Sequence, residues 1–158
     1  MLKNIRYLSE ALIVRLGLWF FYIIGKDRAS NFGAKLAIFI GKKISVQKLA
    51  YSNISKALPK LSETEKENVI DGMWDNLGRV VGEYSHIAKY SPENIDEIVE
   101  FPQETIDVIN SIKNSGKGSV IFSGHIGNWE VGPKVFARYG LKVHTVYRPL
   151  NNPYVEKF

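Results

Sequence analysis

The sequence predicts an α/β protein, a helical N-terminal region followed by the first βαβ units of an open, mostly parallel sheet. Two observations carry this. One is an apolar stripe at positions 69, 70, 73, 74, 77, 80, 81, 84, 87 and 88, a helical repeat sustained over about five turns. The other is a change of pattern past Ile95, where short apolar runs alternate with amphipathic stretches, the mark of strand–helix–strand units.

The elements follow in order. Lys3 and Arg6 precede an apolar run from Ala11 to Ile24 that contains Arg15, Trp19 and Tyr22. The run is shorter than the roughly 20 apolar residues of a spanning helix. No small-residue cleavage site follows it, which speaks against a secretory signal. An aromatic, basic-flanked helix of this kind fits a bilayer interface, and it also fits the core of a soluble protein. Asn31 to Ile44 carries a second helical pattern, and Lys35, Lys42, Lys43 and Lys48 make that neighbourhood basic. Such lysines are either a solvated face or a contact with anionic headgroups, each adding about 1 kcal/mol near the surface.

Ser62 with Glu65 three residues on forms a capping box that starts the long striped helix, and Pro92 ends that region. Beyond it, Ile98–Phe101 is a short strand candidate and Thr105–Lys113 a helix stopped by Gly116. Strand Ser119–Ser123, helix Trp129–Arg138 ending at Gly140, and strand Lys142–Arg148 complete a βαβ unit. Right-handed crossover is expected for it.

Bulk properties narrow the function. The chain has 158 residues, 45% of them hydrophobic and 23% charged, a globular composition. Having no cysteine, it carries no disulfide or thiolate metal site. A net charge of +5 favours an anionic partner. No recognition helix, zinc finger or aromatic-and-basic stacking pattern points to nucleic acid. No metal or cofactor motif is present.

The segment Ser123-Gly124-His125-Ile126-Gly127-Asn128-Trp129-Glu130 carries the chemistry. It places a histidine at a strand end and a carboxylate in the first turn of the next helix. A neutral imidazole held by a carboxylate is a general base suited to an alcohol proton near neutral pH. Gly124 and Gly127 allow the turn and close approach of a substrate, and Asn128 either shapes the turn or caps the helix. In an open sheet, sites gather beyond the carboxyl ends of strands, so Arg148 is expected on the same edge. There it would serve as a phosphate or oxyanion contact, or form a salt bridge at the strand end. His86 and His144 have no motif around them and are assigned structural or exposed positions. Ser123 lacks the G-x-S-x-G elbow of a serine hydrolase.

Phe122 to Glu130, then Val146-Tyr147-Arg148-Pro149-Leu150-Asn151-Asn152-Pro153, with Met73-Trp74-Asp75-Asn76-Leu77-Gly78-Arg79 upstream, resemble the lipid A biosynthesis acyltransferases. These are the late lauroyl/myristoyl transferases of Gram-negative bacteria, which share an H-x4-D/E device with lysophospholipid acyltransferases. The resemblance implies transfer of a fatty acyl chain from acyl carrier protein to a hydroxyl of a lipid A precursor. His125 would be the general base, oriented by Glu130, with Arg148, Asn128 and Gly127 in substrate binding. It implies the cytoplasmic face of the inner membrane, with residues 1–30 as a membrane-associated helix. Residues 31–158 would be the N-terminal part of a single acyltransferase domain, since the family's enzymes run further than Phe158 and the sheet is truncated there. Two alternatives stay open: a non-catalytic membrane-bound remnant that binds anionic lipid, or transfer to a glycerophospholipid acceptor.

Overall fold

The computed structural model describes residues 2–157 and folds them into six α-helices. They are α1 (Leu2–Ile24), α2 (Lys26–Gly41), α3 (Val46–Ala57), α4 (Glu63–Ile87), α5 (Gln103–Asn114) and α6 (Gly132–Arg138). Single 3-10 turns cover Ile95–Glu97 and Trp129–Val131. The limits Met1 and Phe158 of the two segments proposed from sequence lie outside the described residues, and their shared border falls within α2.

The long central helix starts where the capping signal puts it. Ser62 Oγ accepts from the Glu65 backbone N–H, and the Glu65 carboxylate accepts from the Ser62 N–H and hydroxyl, each at 2.7 Å. These bonds hold the Glu65 carboxyl below the usual carboxylate range, the Ser62 hydroxyl contributing most. A depressed folded-state pKa gives stabilisation that is full above the ordinary glutamate value of about 4.3 and is lost as pH falls through the folded value. Ser62→Ala is therefore expected to cost about 1 kcal/mol at neutral pH as a lost N-cap. In urea unfolding the gap from wild type should narrow below about pH 4. A gap that does not change with pH would remove the carboxylate from the cap.

α4 buries Ile70, Trp74, Val80 and Ile87 and packs along its length on α2. That contact is made backbone to backbone. Gly78 and Gly82 on α4 face Gly33, Ala29, Ser30 and Ala34 on α2 so closely that a Cβ at Gly33, Gly78 or Gly82 would overlap the opposing carbonyl. Small residues four apart are what permit helices to approach this far. Past the Gly-rich contact, Gly41 lies flat against the Trp74 indole, whose N–H donates to Gln47 Oε1 on α3 at 2.7 Å.

α1 reaches further upstream than the apolar run alone. The stretch Lys3–Ile24 is long and apolar enough to cross a membrane, with a mean hydropathy of 1.5. Only Ala11 and Phe21 are buried among its described side chains, while Ile13 is 69% and Trp19 63% exposed. Its C-terminal end is tied down. His86 of α4 donates from Nε2 to the Phe21 carbonyl at 3.0 Å, satisfying one of the end carbonyls a helix leaves open. Phe20 and Phe21 also pack on Phe32 of α2. Of the two positions the sequence left open for His86, structural or exposed, the structure gives the buried, structural one.

The predicted parallel sheet is absent. The structure is 65% helix with no strand among the described residues. Ile98–Phe101, Ser119–Ser123 and Lys142–Arg148 are irregular, and no backbone hydrogen bond joins any of these segments to another. An apolar run becomes a strand only when a neighbour pairs its N–H and C=O groups and a layer covers its apolar face. Here neither happens: Val120 is 79%, Phe122 91% and Val146 102% exposed. The helical part of the pattern does form. α5 matches the predicted helix to within two residues, and Gly116 and Gly140 take the positive φ values of 64° and 77° that follow α5 and α6. The helix expected over Trp129–Arg138 is split by Gly132-Pro133. Proline, lacking an N–H, sits in the first turn of α6.

Candidate active site

The motif segment lies across α4. Asn76 Nδ2 donates to the Gly127 carbonyl at 3.2 Å. Two turns further along the helix, Glu83 accepts from Asn128 Nδ2 at 2.8 Å. Residues seven apart share a helix face, so α4 offers two polar anchors in line. Gly127 takes a φ of 56° between them, a left-handed conformation that favours glycine. The second Glu83 oxygen accepts from the buried Ser30 hydroxyl on α2 at 2.6 Å. Arg79 completes the ring. It pairs with Asp75 at 2.6 Å and donates to Asn31 Oδ1 at 2.9 Å. The Asp75 carboxylate, hydrogen-bonded to Arg79, pushes the guanidinium pKa further up.

His125 is exposed and meets Trp129 edge to face, with ring centroids 4.5 Å apart. The Trp129 indole N–H donates to Glu130 Oε1 at 3.0 Å. His125 and Glu130 are therefore neighbours of one indole, and Glu130 spends its carboxylate there rather than on the imidazole. Asn128 does not cap the following turn; its side chain reaches back to Glu83. Arg148 is exposed and makes no hydrogen bond or ion pair among the described residues. With no sheet there is no common strand edge to carry it to His125. His144 is exposed. No cluster of metal-ligating side chains occurs among the described residues.

A cleft of about 280 Å³ opens beside the anchored turn, lined by Glu83, Asn128, Lys26, Tyr90, Ile87 and Val131 among others. Lys134 of α6 donates to the carbonyls of Ile87 and Tyr90, two of the lining residues, at 2.8 and 2.6 Å, a cation at the C-terminal end of α4 where the helix dipole favours one. Glu83 and Asn76 were not singled out from sequence as site residues. The available signal was only their seven-residue spacing, which puts both on one face of α4.

The helical frame thus holds the His-x4-Glu turn against its longest helix through Gly127 and Asn128. The sequence profile of bacterial lipid A biosynthesis acyltransferases matches residues 1–158. A curated lipid A biosynthesis acyltransferase of Haemophilus influenzae is 27% identical over 123 residues, which cover 77% of this chain and 38% of that protein. The chain belongs to the bacterial lipid A biosynthesis acyltransferase family. It spans well under half the length of the curated relative it matches. No solved structure matches it.

Proposed function

We propose that this chain supplies the general-base turn of an acyltransferase that moves a fatty acyl group from acyl carrier protein to a hydroxyl of a lipid A precursor. The observation that carries the reading is the His125–Glu130 segment pinned to α4 through Gly127 and Asn128, within a chain that matches the family over residues 1–158. An exposed imidazole on an anchored turn is open to an incoming hydroxyl. His125 takes the hydroxyl proton as the oxygen attacks the thioester carbonyl; the C–S bond breaks, and the carrier's thiolate leaves and takes the proton from the imidazolium. In this reading Glu130 exchanges the Trp129 indole for the imidazolium and stabilises its charge, as a triad carboxylate does, with no covalent enzyme intermediate. Asn128 and Gly127 shape the turn, and Arg148 contacts a phosphate of the acceptor.

Residues 1–30 hold the enzyme at the membrane on its cytoplasmic face, and residues 31–158 form the N-terminal part of the acyltransferase domain. The exposed apolar length of α1 and the lysines of α2 and α3 support this placement. The test offers labelled acyl carrier protein thioester to the intact gene product in membranes, with a lipid A precursor and a lysoglycerophosphate as competing acceptors. Label is expected on the lipid A precursor. Label only on the glycerophosphate would move the reading to that acceptor class, and no transfer to either would leave lipid binding alone.

A further inference from the structure

We infer that Glu83 is a positioning residue for the transfer reaction, acting through Asn128 on the turn that carries His125 and Glu130. The inference rests on the reading of His125 as the base. A carboxylate only accepts hydrogen bonds, so the Asn128 amide must turn its NH2 toward Glu83, and its carbonyl oxygen faces away. That oxygen is buried and has no hydrogen-bond partner among the described residues. A buried amide left half-paired is costly, so the Glu83 contact is what keeps Asn128 in this orientation. Asn128 stands three residues after His125 and two before Glu130, and Gly127 next to it is flexible by nature. Without the Glu83 anchor, the Asn76 bond to the Gly127 carbonyl would be the one side-chain hydrogen bond from α4 left on residues 124–131 among the described residues.

Glu83 is itself held. Ser30 donates to its other oxygen at 2.6 Å, and Ser30 also lies 3.5 Å from an Arg79 nitrogen. The chain of contacts runs from α2 through Glu83 to Asn128, so the packing of two helices fixes the position of the motif turn. Displacing a reacting group by about 1 Å can cost on the order of 100-fold in rate.

The experiment compares wild type, Glu83→Ala, Glu83→Leu, Glu83→Gln, Asn128→Ala and the Glu83→Ala/Asn128→Ala double variant of the intact gene product, with His125→Ala in parallel. Glu83→Ala is expected to lower kcat by about 10- to 100-fold with little change in KM. Glu83→Gln should stay near wild type, because its amide oxygen still accepts from Asn128 while its NH2 can donate to Ser30. Glu83→Leu keeps the bulk against α2 and loses both acceptor oxygens, so it serves if the alanine variant fails to accumulate. The double variant should be no slower than Asn128→Ala alone, the signature of two residues acting as one. Hydrogen exchange over residues 124–131 should quicken in Glu83→Ala and not in Glu83→Gln. Wild-type kcat in both Glu83→Ala and Glu83→Leu, or losses that multiply in the double variant, would overturn the inference. If His125→Ala is inactive while the Glu83 variants are not, only this inference falls; full activity in His125→Ala removes the base reading and this inference with it.

Discussion

Replacing His125 by alanine is expected to lower acyl transfer by about 10²- to 10⁴-fold, the usual contribution of a positioned general base. An alcohol attacks a thioester poorly unless its proton leaves with the bond-forming step, and neither of the other two histidines belongs to the motif turn. His86 is buried and donates to the Phe21 carbonyl, and His144 lies exposed in the segment after α6. The anchors of the turn do not involve the imidazole, since Asn76 holds Gly127 and Glu83 holds Asn128. The variant should therefore fold normally and show the same lipid binding as wild type in a parallel measurement. Glu130→Gln should cost less, because it removes the charge proposed to face the imidazolium and leaves the proton acceptor in place. Initial rates with acyl carrier protein thioester in membranes check both, with lipid binding measured on the same preparations.

The second large effect concerns the frame. Gly78→Ala is expected to destabilise the protein by about 3 kcal/mol, the upper part of the range for overpacking. The added Cβ would overlap the Gly33 carbonyl and the Ala34 Cα. These are backbone atoms, so no rotamer change relieves the clash, and α2 must move off α4. Gly72→Ala on the same helix provides the control. Nothing lies within 4 Å of a Cβ there, so the change should be neutral or stabilise by up to about 1 kcal/mol through helix propensity. Chemical denaturation followed at the helical circular-dichroism band separates the two. A Gly78→Ala protein as stable as wild type would show that the α2–α4 contact is not close-packed.

The parts of the fold written locally were legible in the sequence. The Ser62–Glu65 box, the long stripe of α4 and the bounds of α5 all depend on side chains within a few positions of each other. The strands read from the sequence do not form: Ser119–Ser123 and Lys142–Arg148 have strand-like residues, but a strand exists only with a partner, and none pairs with them here. The same reason undid the expected meeting of His125 and Arg148 on one sheet edge. At the site, His125 and Glu130 were readable as a motif, while their shared neighbour Trp129 and the anchors Asn76 and Glu83 emerge only when α4 is folded against the turn. The small residues Ala29 and Gly33, and Gly78 and Gly82, carry a four-residue spacing visible in the sequence, but which helix they press against is a tertiary fact.

The most direct measurement is chemical rescue of His125→Gly by free imidazole in the acyl-transfer assay. His125 lies on an exposed turn, so small imidazoles can reach the vacated position. If His125 is the base, the glycine variant should be nearly inactive, and transfer should return as imidazole is added, with no such response from wild type. Transfer by His125→Gly at the wild-type rate without imidazole would contradict the role assigned to His125.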